Sequence, residues 1–155
     1  FGTDSLLSYP SPLPACFVCG ALVRSSCLTM SHGSKILIVE DNDFVRMQIA
    51  RFLNDDGHEV VECHDGQEAL EHMSPSIHLA IVDVRMEPID GFEFIRTIRS
   101  EGVKTPVILV TGDQNSDVLS ESGKLSVAAV LMKPVQRDRL LKTVARTLGH
   151  RSESA

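Results

Sequence analysis

From Lys35 onward the chain alternates two kinds of apolar pattern. Five short runs, "KILIV" from Lys35, "EVVEC" from Glu59, "HLAIV" from His78, "PVILV" from Pro106 and "AAVLM" from Ala128, are rich in Val, Ile and Leu. Such runs predict strands buried on both faces. Between them apolar residues recur at helical spacing. Val45, Ile49, Phe52 and Leu53 follow the capping acids of "EDND", and "NDDG" ends that segment. "DGQEALEHM" predicts a second helix with Ala69, Leu70 and Met73 inward, and "GFEFIRTIRSEG" a third with Phe94, Ile95 and Ile98 inward, stopped by Gly102. "NSDVLSESGKLS" predicts a short fourth. "QRDRLLKTVARTLG" predicts a fifth, with Leu140, Leu141, Val144 and Leu148 on one stripe and Arg137, Arg139, Lys142 and Arg146 toward solvent.

Strands alternating with helices in this way predict an α/β fold, a doubly wound five-stranded parallel sheet with helices on both faces. The expected strand order is the flavodoxin-like 2-1-3-4-5, and ligands of such sheets bind at the carboxyl edge, where the order reverses. The first strand ends in Glu40 and Asp41, the third in Asp83, the fourth in Thr111, and the fifth in Lys133 before Pro134. The second ends in "CHD" and lies at the outer edge. Three carboxylates within a few ångströms repel, so either one holds a proton or a cation sits among them. A hard divalent ion suits an all-oxygen site, and Mg²⁺ suits it best. Lys133 adds a compact positive charge and Thr111 a hydroxyl donor. Such a set is built to hold a phosphoryl group, with Asp83 as the nucleophile and an aspartyl phosphate as the product. Singly, each residue has a plainer role: Thr111 a strand-end hydrogen bond, Lys133 a solvated cation, Glu40 and Asp41 helix caps. Their convergence on one edge favours the shared site.

Composition narrows the class. A chain of 155 residues holds one ordinary domain with a real core. Hydrophobic residues at 43% and charged residues at 23% fit a soluble globular protein. A net charge of −6 with no basic stripe argues against DNA or an anionic membrane as partner. The longest apolar run, Ala15 to Val23, is far short of the ~20 residues that span a bilayer.

Residues 1–33 show neither helical nor strand period and read as an N-terminal extension, disordered or non-native, with Met30 resembling a natural start. Cys16 and Cys19 form a Cys-x-x-Cys pair, but a zinc site would have to recruit Cys27 and His32 at irregular spacing. The only nearby cation, Arg24, follows the apolar run, on the wrong side for a secretory signal. The expected location is the cytoplasm. The expected domain is 34–150, followed by a tail, 151–155. With only "HRSESA" after the last helix, a stand-alone domain is expected, acting by protein contact.

"KILIVEDND", "AIVDVRMEPIDGFE", "PVILVTGD" and "VLMKP" together resemble the receiver domain of two-component response regulators, over roughly Ser34 to Gly149. The resemblance implies that Asp83 is the phosphoacceptor. It implies that Glu40, Asp41 and Asp83, with the backbone carbonyl of Arg85, ligate Mg²⁺. It further implies that Thr111 and Lys133 contact the phosphoryl group, and that the Lys133–Pro134 bond is cis. The donor would be a phosphohistidine on a sensor histidine kinase or a histidine phosphotransfer protein, and the output an unknown downstream protein. The sequence departs from the family pattern where Glu87 stands between Met86 and Pro88, where Ser126 and Val127 replace Gly-Ala, and where Val130 replaces an aromatic residue. These departures bear on signal readout, not on the phosphorylation set.

Two other readings compete. A phosphatase with an aspartyl phosphate intermediate, of the haloacid dehalogenase type, wants a second acid two residues after the nucleophile, where this chain has Arg85. A phosphorylation-independent interaction module would show a broken acidic pair or a lost Lys, and both are intact. "SGK" at Ser122 resembles part of a phosphate loop, but Val118 replaces its leading glycine.

Overall fold

The computed structural model describes residues 33–152. All of the expected extension but Gly33, including Cys16, Cys19, Cys27 and His32, lies outside the described residues, as do residues 153–155. Ten elements alternate: β1 (Lys35–Val39), α1 (Asp43–Asp55), β2 (Glu59–Cys63), α2 (Gly66–His72), β3 (Leu79–Asp83), α3 (Gly91–Ser100), β4 (Val107–Thr111), α4 (Ser116–Lys124), β5 (Ala129–Met132) and α5 (Arg137–Ser152). α5 thus runs past the boundary expected at residue 150. The strands form one parallel sheet in the order β2-β1-β3-β4-β5, as the sequence predicts.

Two apolar layers sandwich the sheet. On one face Leu37, Ala80, Val82 and Leu109 pack against Ala69 of α2, Phe94, Ile95 and Ile98 of α3, and Val118 of α4. On the other Ile36, Ile38, Ile81 and Ile108 pack against Ile49 and Leu53 of α1 and Leu140 and Val144 of α5. Successive strand residues point to opposite faces, so helices on both sides require apolar residues at every position. β3 and β4 are buried along their whole length and apolar up to their last residues, Asp83 and Thr111. β2 and β5 are the outer strands, half covered, and β2 exposes Glu59 and Glu62. An outer strand lacks a neighbour on one side, and outward charges discourage pairing with other chains.

Three helix starts, those of α1, α2 and α3, are capped by side chains: Asn42 accepts from the Val45 amide, Asp65 from Glu68 and Asp90 from Glu93. The cap of α1 is therefore Asn42 and not the preceding acids, which leaves Asp41 free of that duty. Gly57 and Gly102 follow α1 and α3 with φ of +88° and +80°, a left-handed turn that glycine adopts without steric cost. Among the described residues no helix is long and apolar enough to cross a membrane.

Candidate functional site

The register of three neighbouring strands sets the site. β1 lies beside β3, and β3 beside β4, with Val39 opposite Val82 and Asp83 opposite Val110. The residues that leave β1 and close β3 therefore meet at one point of the carboxyl edge. Carboxylate oxygens of Glu40, Asp41 and Asp83 all lie within 4.8 Å of one another. Glu40 and Asp83 are buried, at 1% and 4% exposure, while Asp41 is exposed.

Lys133, carried in by the turn after β5, joins them. Its Nζ donates a hydrogen bond to Asp83 Oδ2 at 2.9 Å and stands 2.9 Å from Glu40 Oε2. The second contact is an ion pair without hydrogen-bond alignment, so the buried Oε2 has no donor of its own. Glu40 Oε1 accepts the Asn42 amide, and Asp83 Oδ1 the amide of Arg85. The Lys133–Pro134 bond is cis, as the resemblance implied, and so is Glu87–Pro88.

The electrostatics follow from this crowding. Burial raises the Glu40 carboxyl, Asp83 adds repulsion, and Lys133 pulls the other way; the result is about 7, against an ordinary 4.5. Burial acts to lower the Lys133 ammonium, yet its close contacts with the Glu40 and Asp83 carboxylates prevail and hold it above its usual value. A proton shared among the acids is one of the two solutions the sequence predicted. The other is a cation, and the residues fit one: three carboxylates converge, and the buried Glu40 Oε2 is met only by the Lys133 ion pair.

Thr111 is buried at the end of β4, but its hydroxyl is engaged elsewhere. Thr111 Oγ accepts the Asp113 amide at 3.0 Å. The crevice above Asp83, about 460 Å³, is walled by Asp83, Arg85, Gly112, Asp113 and Lys133. A separate cavity of about 230 Å³ takes in Thr111, Asn115, Val118, Leu119 and Val130. It lies where the resembling family carries an aromatic ring. A larger cavity, about 850 Å³, sits against Pro106 and Ala128, which precede β4 and β5, and includes none of the site residues.

Two features escaped the sequence reading. Arg85, whose side chain was given no part in the phosphoryl site, sends its guanidinium across the crevice to the Asp113 carboxylate. Asp113 was visible as the acid of "VTGD" just past a strand end. Arg46, on the helix before β2, is buried at 6% exposure, donates to the Glu40 carbonyl at 2.9 Å, and pairs with Asp43 and Glu62. Helical periodicity gives no sign of a buried charge, because two of its three partners, the Glu40 carbonyl and Glu62, lie outside the helix. Gly91 closes the floor: a Cβ there would stand 2.3 Å from the Asp83 carbonyl oxygen, so only glycine lets α3 start so near the acid.

Comparison with known proteins agrees with this geometry. The model of the response regulator receiver domain matches residues 36–145. The sensor kinase/phosphatase CqsS of Vibrio cholerae is 37% identical over 118 residues, which are 74% of this chain and 17% of that protein. The chemotaxis protein CheY of Treponema pallidum is 27% identical over 74% of this chain and 82% of its own length. Among solved structures, a response regulator receiver protein from Pseudomonas putida superposes with a TM-score of 0.69 at 32% identity, covering 74% of this chain and 97% of the other. Fold, edge chemistry and sequence likeness thus point the same way, and the chain belongs to the receiver domain family of two-component response regulators.

Proposed function

We propose that Asp83 accepts a phosphoryl group from a phosphohistidine, in a step that depends on Mg²⁺. The observation that carries this reading is the position of Lys133 Nζ, 2.9 Å from both Asp83 Oδ2 and Glu40 Oε2, at the meeting point of three carboxylates. In the transfer an Asp83 oxygen forms a bond to phosphorus, the phosphorus–nitrogen bond breaks, and the imidazole leaves with a proton. Lys133 offsets charge on the transferred group, and Thr111 donates its hydroxyl once it has left the Asp113 amide. Glu40, Asp41, Asp83 and the Arg85 carbonyl would hold Mg²⁺. A bound ion supplies neutralisation of the phosphoryl oxygens as charge spreads over them.

On this reading the protein is a phosphoacceptor, able to catalyse its own phosphorylation and dephosphorylation, rather than an enzyme acting on a separate substrate, and it works in the cytoplasm. Its donors are a sensor histidine kinase or a histidine phosphotransfer protein, and its output is contact with a downstream protein. Incubation with acetyl phosphate and Mg²⁺ followed by peptide mapping tests the assignment. Label is expected on Asp83 alone, and undiminished labelling of Asp83→Asn would overturn it.

A further inference from the structure

We propose that the Arg85 side chain is a further phosphoryl-binding group, parked on Asp113 until the phosphoryl group arrives, and that Asp113 is the positioning residue through which its departure is read. The proposal rests on Asp83 being the phosphoacceptor. Arg85 and Asp113 face each other over the crevice that Asp83 and Lys133 also wall. The Arg85 side chain is 77% exposed and free to turn about its stem, while its amide is tied to Asp83 Oδ1 at 3.3 Å. The guanidinium is thus tethered beside the reacting carboxylate and held off it by one exposed ion pair.

Asp113 is a junction of hydrogen bonds, among them three that link it to Arg85, Asn115 and Thr111. Its carboxylate takes Arg85 on one oxygen and the Asn115 amide, at 3.3 Å, on the other, and its own amide donates to Thr111 Oγ at 3.0 Å. Asn115 is the N-cap of α4 but makes no side-chain cap bond, so the entry to that helix hangs on Asp113. Beside this junction lies the 230 Å³ cavity against Val130, Val118 and Thr111, into which the loop can move.

A phosphoryl group offers a guanidinium a bidentate, more highly charged acceptor than a single carboxylate. When Arg85 turns to it, Asp113 loses its cation just as the crevice gains negative charge. The repelled carboxylate releases the Asn115 amide and, with it, Thr111. The start of α4 then shifts through charge exchange at Asp113, a route that needs no aromatic side chain at Val130.

Beryllium fluoride with Mg²⁺ serves as a phosphoryl probe on the full chain. Bound fluorine NMR signal reports affinity, and amide exchange over residues 112–119 reports the loop. Arg85→Gln loses the binding group and is expected to weaken the probe's affinity by about threefold, whereas Asp113→Asn frees Arg85 and is expected to strengthen it by about as much, the scale of an exposed ion pair. Both variants are expected to show faster exchange over 112–119 without the probe, and the wild type to reach that rate only with it. Affinity changes of the same sign in the two variants, no change in either, or a loop indifferent to the bound probe would overturn the proposal. Failure of the phosphoacceptor reading looks different: no bound signal in the wild type, or a signal retained by Asp83→Asn.

Discussion

Burial raises the Glu40 carboxyl to about 7, so the proposed Mg²⁺ binding is expected to depend on pH in a range where an ordinary carboxylate would not. A carboxylate must lose its proton to ligate a metal. The apparent dissociation constant therefore carries a factor of one plus the ratio of protonated to ionised Glu40. With a value of about 7 that factor is about 1.1 near pH 8 and about 11 near pH 6, a tenfold loss of affinity; at 4.5 it would stay close to one throughout. Calorimetric titration of Mg²⁺ at constant ionic strength measures this. Glu40→Gln is expected to bind more weakly and to lose that pH dependence.

The same shift has a stability counterpart in metal-free protein. The unfolded chain releases this proton near 4.5 and the folded protein near 7, so the folded state binds more protons between these values. Stability therefore falls as the pH rises through that window, and the full cost, at most about 3 kcal/mol, is present above it. Urea unfolding in the presence of a chelator follows it. A Mg²⁺ affinity that changes less than about twofold between pH 8 and pH 6 would refute the placement of the proton on Glu40.

Lys133→Met removes the cation that opposes protonation of Glu40, so the pH below which Mg²⁺ affinity declines is expected to move upward; an unmoved profile in the same titration would count against the pairing. Gly91→Ala drives a methyl group into the Asp83 carbonyl and is expected to cost about 1–3 kcal/mol in urea unfolding and to slow labelling by acetyl phosphate. Phe94→Ala empties a fully buried position between α3 and the sheet and is expected to cost about 3–5 kcal/mol, with Mg²⁺ affinity unchanged in the protein that remains folded.

The strands and helices were readable because their signals are short-range. "VILVT" and "LAIVD" are apolar almost without interruption, since helices cover both faces of β3 and β4, and the stripe of Phe94, Ile95 and Ile98 marks the inward side of α3. The cap of α1 was less clear: any residue of "EDND" can accept an amide, and the choice of Asn42 depends on which one holds extended backbone with its oxygen toward Val45. The half-covered state of β2 and β5 follows from their place in the sheet, which only the strand order decides.

At the site, the sequence by itself determined the cast: three acids, a hydroxyl and an ammonium at strand ends that a parallel sheet must bring to one edge. Tertiary structure alone decided the state of each. It bridges Glu40 and Asp83 with Lys133, raises the proton affinity of Glu40, turns the Thr111 hydroxyl to Asp113, and joins Arg85 to Asp113 across 28 residues of chain. The reason is physical. Strand and helix patterns arise from neighbours a few residues apart, whereas proton affinity and partner choice turn on burial and on separations near 3 Å between elements distant in sequence.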